Sequence, residues 1–482
     1  MSYSHILKYT GLLGSVQFLN VLISIMRNKA AALLIGPLGM GLADLYFRAM
    51  DLLSNSTNFG LSFSAVRRIS SLCEEGDERA IRIQIRLIRT LIFWAAMFGV
   101  AITLLLSPLL SQCFFGDRTH ALSICLIAPA VAFSTLTGGE VAVLRGMRQL
   151  KSIATISAIG AGCTLVLALV IYAVWGVRGV IPVLVLTTLV TFLLHLRANH
   201  PCHPYRIRPF HIRLLRRGKP LFGLGVAYIG AGILGSGAEM LIRIVVTNSD
   251  NGLYTVGLYA AGLTLTVSYA RMIFVAMDAD YFPRLSAAVH TPLQQNETVN
   301  SQINVLSLLM APCLMLLAIA LPLIVRILYS TEFLPVMPMV WAALPFMFFK
   351  SIYSPIAYLS LAHGDSRVYF MMELIYDVCF TTAVVVGYEW GGLLGAGIGL
   401  TVANLFDLLL LFFVYRSKYK FRFTRQGLRL YLCQGILLAG TLCCIPSQSL
   451  WIRYGVSSAL CLAAVAFSLF YLRRLKRTST LH

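Results

Sequence analysis

The chain is a succession of apolar runs, each long enough to cross a bilayer, and its basic residues fall mainly in alternate gaps between them. A hydrocarbon core about 30 Å thick needs about 20 helical residues at a rise of about 1.5 Å each. Within lipid, backbone polar groups can be satisfied only in helices or closed barrels. Fourteen such runs can be drawn. Six lie at 8–35, 43–65, 89–112, 121–144, 152–174 and 180–196; six more lie at 220–247, 255–282, 302–328, 337–361, 369–388 and 394–415; two follow at 430–447 and 451–472. Only 12% of the 482 residues are charged, against about 25% in ordinary soluble domains. The predicted fold class is an all-α polytopic membrane protein, and soluble two-domain folds are excluded.

The formal net charge of +20 would suggest a nucleic-acid partner on a soluble surface. Its placement argues for membrane orientation instead. Arg67, Arg68, Arg79, Arg82, Arg86 and Arg89 flank the second gap, and Arg145, Arg148 and Lys151 occupy the fourth. Seven basic residues fall between Arg197 and Lys219, six between Arg416 and Arg429, and four in the RRLKR tail. Both termini are therefore expected on the cytoplasmic side, with no nucleic-acid partner. The first run contains Arg27 and Lys29 and continues into the fold, so no cleavable signal is expected.

The eleven cysteines are scattered through apolar runs with no disulfide framework. His200, Cys202, His203 and His211 have no closed-site zinc spacing and no acidic ligand nearby. Neither metal nor cofactor is expected; this basic segment is predicted to lie on anionic lipid. Cys73 to Arg89 begins acidic and becomes amphipathic, with Arg82, Arg86 and Arg89 on one face. It is expected to lie along the cytoplasmic interface before turning inward, where it could also dock a partner enzyme.

The stretch from Leu19 to Ser70 returns later in the chain. Adding 216 carries Arg27 to Arg243, Gly41 to Gly257, Arg68 to Arg284, Ser70 to Ser286, Pro129 to Pro345, Gly176 to Gly392 and Gly179 to Gly395. One offset serving so many landmarks marks a duplicated membrane unit. Six spans per unit is an even number, so both copies enter the membrane in the same sense, related by an axis along its normal, with a cleft between them. The expected organisation is an N-terminal lobe over 1–197, a basic cytoplasmic connector over 198–219, a C-terminal lobe over 220–416, and two further helices with a basic tail over 417–482. The external loops are all short, which leaves no room for an extramembrane catalytic domain; an enzyme is not expected.

Charges inside the apolar runs are the candidate site. Arg27 lies nine residues before Gly36, about 13 Å below the external surface at helical rise. An arginine there costs about 2.5–3.5 kcal/mol on insertion scales. Its repeat mate Arg243 forms an i, i+4 pair with Glu239, and Arg48 sits between Asp44 and Asp51 on one helical face. Arg271 lies in the eighth run, Lys350 in the tenth, Glu373 and Asp377 in the eleventh and Asp407 in the twelfth. Two readings stand side by side: interhelical pairs that hold the bundle, or a cationic cleft for a phosphate-bearing head group. The carboxylates Glu239, Glu373, Asp377 and Asp407 are candidates for uptake of H⁺ or Na⁺.

The runs RNKAAALLIGPLGMGLADLY, NGLYTVGLYAAGLTLTVSYARMIFVAMDADYFPRLS and LLGAGIGLTVANLF resemble Wzx-type polysaccharide flippases of the multidrug/oligosaccharidyl-lipid/polysaccharide (MOP) superfamily. The resemblance covers essentially the whole chain, and Gly36-Pro37-Leu38-Gly39-Met40-Gly41-Leu42 carries much of it. It implies two pseudo-symmetric six-helix bundles in a V, plus two C-terminal helices. It also implies movement of an undecaprenyl-diphosphate-linked oligosaccharide, such as an O-antigen, capsule or exopolysaccharide repeat unit, across the bacterial inner membrane. The related lipid II flippases use a first-helix arginine for the diphosphate, and Arg27 falls at the matching place. Their paired second-helix arginines are absent, with Ser54-Asn55 near that position, which argues against lipid II as cargo. The diphosphate set is then Arg27, Arg48, Arg243 and Arg271, and the partners are the lipid-linked oligosaccharide, membrane lipids, a coupling ion, and a polysaccharide polymerase or glycosyltransferases. The rival readings are a cation or drug antiporter of the same superfamily and a polytopic polymerase of lipid-linked sugars.

Overall fold

The computed structural model describes residues 3–199, 204–205, 207, 230, 232–249, 251–268, 274, 281–282, 284–289 and 291–479. Among these every regular element is helical. The chain divides into two compact units. The first is Met1–Leu258 with Leu328–Ser330, and the second is Tyr259–Ile327 with Thr331–His482. The connector cysteine and histidines His200, Cys202, His203 and His211, and also Arg271, lie outside the described residues.

The first unit holds α1 (Tyr3–Leu34), α2 (Gly36–Thr57), α3 (Leu61–Glu75), α4 (Glu78–Phe115), α5 (Ala121–Gly146), α6 (Leu150–Trp175), α7 (Val180–Asn199), α8 (232–247) and the opening turns of α9 (Gly252–Leu263). The second holds the rest of α9, then α10 (Pro292–Leu328, all but its last residue), α11 (Met337–Ala362), α12 (Ser366–Lys418), α13 (Arg425–Cys444) and α14 (Ser457–Ser479). α12 is two helical arms broken at Gly391 and Gly392, whose backbones are not helical. Eight described helical stretches are long and apolar enough to cross a membrane. The protein is a multi-pass membrane protein.

Local chemistry sets the breaks. Gly36 takes a φ of +62° and Pro37 follows in the first turn of α2, so the chain reverses in one residue with the ring's fixed φ already helical. The single run expected over 43–65 is interrupted: Phe59 and Gly60 both take positive φ, ending α2 and starting α3. The inward turn expected near Arg89 does not occur. α4 runs unbroken through 38 residues, about 57 Å at helical rise, so it passes through the hydrocarbon depth and continues beyond it. Asp77 caps its start, accepting from the backbone N–H groups of Arg79 and Ala80.

The duplication is visible in backbone conformation. α5 and α11 have bounds 216 apart at both ends, with Pro129 and Pro345 at the same internal position. Arg148 and Gly364, again 216 apart, both take positive φ, 57° and 73°. Gly176 (φ 54°, ψ −134°) and Gly392 (φ 56°, ψ −138°) turn the chain in the same way. For Gly41 and Gly257 the requirement is close approach. A Cβ on Gly41 would overlap the carbonyl oxygen of Leu253, and one on Gly257 would overlap that of Pro37. Leu253 is itself the repeat mate of Pro37, so the crossing of α2 and α9 is reciprocal and needs two small residues.

Four helices of the first unit share one apolar core, in which Ile69 and Leu72 of α3, Ile85, Ile88 and Ile92 of α4, Leu136 and Val143 of α5, and Phe192 of α7 are buried. Arg89 is not on a surface face with Arg82 and Arg86 but buried beside this core. Its Nε and Nη2 donate to the two carboxylate oxygens of Glu140 at 2.6 Å each. Asn199 Nδ2 donates to the same carboxylate at 2.6 Å, and Arg89 Nη1 to the carbonyl of Pro204 at 3.3 Å. The guanidinium lies 5.1 Å from the ring centre of Tyr205, whose phenol burial pushes up to about 12. The beginning of the connector is therefore tied to α4 and α5. In the second unit, Asn296, Asn300 and Asn304 on α10 form an amide ladder. Asn296 and Asn300 grip the backbone of Lys420, Arg422 and Thr424, and Asn304 accepts from Tyr431 at 3.1 Å. This fixes the segment leading into α13.

Two outcomes follow for stability in detergent. Glu140→Gln leaves Arg89 buried without its counter-charge and is expected to cost about 3–5 kcal/mol, read as a lower unfolding midpoint; an unchanged midpoint would refute the clamp. Gly41→Val should destabilise by about 1–3 kcal/mol through overpacking, whereas Gly76→Ala, at a turn with open space around it, should cost less despite its positive φ.

Candidate functional site

Among the described residues, most of the charged side chains expected to form the site gather at two places, one in each unit. In the first, α2 and α8 meet along a ladder of ionic and polar contacts. The Arg243 guanidinium is only 1% exposed and bonds the Asp44 carboxylate through Nε, while its Nη1 donates to the Glu239 backbone carbonyl at 2.8 Å. Arg48 bonds the Glu239 carboxylate through Nη1 and lies 3.6 Å from Asp44. Deeper along α2, Asp51 accepts from Asn55 at 3.2 Å and from Ser236 Oγ at 3.1 Å. Helical spacing explains the register: Asp44, Arg48, Asp51 and Asn55 recur every three or four residues, as do Ser236, Glu239 and Arg243 on α8.

Three carboxylates and two guanidiniums give this seam a formal charge of −1. The arginines expected to face a diphosphate here already have carboxylate partners. Arg27 lies on another helix. It is exposed on α1, and its charge acts on the buried Tyr172 of α6. Lys29 donates to the backbone carbonyl of Tyr329. Arg27 and Arg243, mates in the duplication, thus differ in burial.

In the second unit a cavity of about 280 Å³ opens between α11 and the two arms of α12. Lys350 enters from α11, Glu373 from the first arm and Asp407 from the second. Asp407 is buried, with Glu373 and Lys350 close enough for their charges to act on it. Tyr353 donates to Asn404 Oδ1 at 2.8 Å, and Tyr376 reaches the same oxygen at 3.5 Å. The Asn404 amide in turn donates to the Leu400 carbonyl at 2.8 Å.

Of the four carboxylates expected to couple an ion, Glu373 and Asp407 come together. Asp377, one turn beyond Glu373, is half-buried and does not line this cavity. Glu239 belongs to the α2–α8 seam. The tyrosines and Asn404 were not singled out in the sequence, where they read as ordinary apolar-run residues; the signal available was their i, i+3 and i+4 spacing with Lys350, Glu373 and Asp407. Among the described residues no group of three or more His, Cys, Asp or Glu is disposed to hold a metal ion.

The model of a family described as "Polysaccharide biosynthesis protein" matches residues 32–338. The chain belongs to that family. No curated protein matches it significantly. Among solved structures, the lipid II flippase MurJ in an inward closed conformation is similar, with a TM-score of 0.71 over 96% of this chain and 99% of that one at 15% identity. An inward-facing multidrug resistance MATE transporter of the MOP superfamily gives 0.68 over 83% and 94% at 13% identity. A MOP transporter from Pyrococcus furiosus, whose binding pocket is described as having reverse polarity, gives 0.60 over 86% and 96% at 14% identity. This family member therefore has the fold of the MOP-superfamily transporters.

The seam is testable by exchange. Asp44→Arg alone and Arg243→Asp alone should each lower the unfolding midpoint, by an amount on the order of 3–5 kcal/mol for a broken buried pair. The double swap should recover at least half of either loss. A double variant no better than the singles would show that the two groups do not depend on one another.

Proposed function

We propose that the protein is a flippase for an undecaprenyl-diphosphate-linked oligosaccharide in the bacterial inner membrane, working by alternating access and driven by an ion gradient. The observation that carries this reading is Arg27, an exposed arginine within an apolar helix. It would bind the diphosphate by charge-assisted, paired hydrogen bonds. Arg48 and Arg243 would join it by exchanging Asp44 and Glu239 for phosphate oxygens. Arg271 is kept as a fourth member from the sequence. The proposed frame is fourteen spans in two six-helix lobes about a V-shaped cleft, joined by the basic connector, with both termini cytoplasmic. Membership in a polysaccharide biosynthesis family supports a glycan cargo, and the likeness to a lipid II flippase supports a lipid-linked one. Glu373, Asp407, Asp377 and Glu239 remain the proposed coupling carboxylates, and a polysaccharide polymerase or glycosyltransferases the proposed neighbours.

One observation favours a second reading. The α2–α8 seam has a formal charge of −1, which suits a cationic drug better than a diphosphate, and MATE transporters share the fold. The two readings part on one variant. Arg27→Ala, with normal membrane level, should reduce surface glycan about tenfold or more, as expected for loss of a charge-assisted hydrogen bond of about 1.5–3 kcal/mol. Lipid-linked oligosaccharide should accumulate in extracted lipids. Normal surface glycan with altered drug or dye sensitivity would instead establish the antiporter.

A further inference from the structure

The coupling reading leaves the cation unnamed, and Lys350 bears on it. With both carboxylates ionised and the lysine charged, Glu373, Asp407 and Lys350 sum to −1, so among the described residues the lining lacks one positive charge. Among the described residues, the other titratable side chains lining it are phenols: Tyr353 and Tyr358 from α11, Tyr369 and Tyr376 from the first arm of α12, and Tyr415 from the second. Phenols ordinarily stay neutral near pH 7. We propose that this cavity takes up a proton rather than Na⁺, with Lys350 as a tethered counter-cation; the proposal rests on the ion-coupled transport reading above.

Three features separate the two ions. A sodium ion must replace its hydration shell with several protein oxygens at once. Asn404 Oδ1, a neutral oxygen bonded to the lining tyrosines, already accepts from Tyr353 at 2.8 Å and faces Tyr376 at 3.5 Å. The Lys350 ammonium brings three donors and no acceptor, so it draws on the carboxylate lone pairs that a metal shell would use. A proton needs one lone pair on one carboxylate and leaves the other free to face Lys350. Charge repulsion from Lys350 acts on either ion, so coordination, not charge alone, decides between them.

The duplication sharpens the contrast. Subtracting 216 from Lys350, Glu373 and Asp407 gives Ser134, Ser157 and Thr191. The same three positions carry neutral hydroxyls in the first copy and ionisable groups in the second. An ionisable trio confined to one copy is a specialised site, since a structural need of the repeat would recur in both.

The experiment uses purified full-length protein in detergent, with NaCl exchanged for choline chloride at constant ionic strength. Wild-type melting temperature should not respond to the exchange. A protonated-carboxyl infrared band that titrates in the wild type should be lost from the Glu373→Gln/Asp407→Asn double variant. Lys350→Met should acquire Na⁺-dependent stabilisation, with affinity about tenfold or more above wild type once a neighbouring unit charge is removed. Clear stabilisation of the wild type by Na⁺ would overturn the proposal, even if Lys350→Met does not fold. An infrared spectrum unchanged in the double variant would overturn it too. These readouts need no cargo. A negative glycan assay would remove the flippase reading and leave the proton site standing, and a failed ion experiment would do the reverse.

Discussion

A buried charge has to be answered from within the protein, and the quality of that answer varies along this chain. Arg89 and Glu140 form a closed set: both carboxylate oxygens accept at 2.6 Å, Asn199 adds a further donor, and both partners are almost wholly buried. Arg243 and Asp44 form a set with an open side, since Arg243 is 1% exposed while Glu239 beside it is 42% exposed. Lys350, Glu373 and Asp407 line a cavity and together sum to −1. The first arrangement is closed on itself. The other two are the sites proposed for cargo and for the proton.

The duplicated fold explains why this variety is possible. Once two copies share helix lengths, proline positions and the left-handed turns at 148, 176, 364 and 392, the backbone is satisfied twice over by the same solution. Side chains at matched positions are then free to diverge. Gly41 and Gly257 stay alike because each needs the other to be small. Arg27 and Arg243 keep their chemistry and lose their equivalence, one exposed and one buried. Ser157 and Glu373 have parted altogether.

Much of the fold was legible because apolar length, basic gaps and a repeat offset are one-dimensional signals. The hairpin at Gly36-Pro37 and the break at Gly391–Gly392 could be read from residues whose backbone preferences are strong. The interruption at Phe59–Gly60 was hidden, because an apolar run continues across it and phenylalanine gives no warning of positive φ. Arg89 was misjudged for a related reason. Its spacing with Arg82 and Arg86 predicts a common face, and its partner lies 51 residues away on another helix. The seam between α2 and α8 was half visible: the intrahelical i, i+4 pairs could be read, while the cross-links between Arg243 and Asp44 and between Arg48 and Glu239 depend on tertiary register. The cavity of the second unit was seen only as its carboxylates, because tyrosines at helical spacing in an apolar run look like core.

The two arginines of the α2–α8 seam could be regarded as mere glue, but a buried ion pair is an inefficient adhesive. Desolvation offsets most of the Coulombic gain, and apolar residues of similar volume often hold helices at least as well. What an ion pair offers that leucine cannot is a partner that can be exchanged. Asp44 and Glu239 satisfy Arg243 and Arg48 with carboxylate oxygens, and a diphosphate presents the same acceptor chemistry with more charge and more oxygens. A ligand shifts a conformational equilibrium only through its differential affinity for the two states, so contacts that must be broken before cargo can bind are a direct means of supplying that difference. Glu239, whose side chain is 42% exposed, gives such an exchange a place to start.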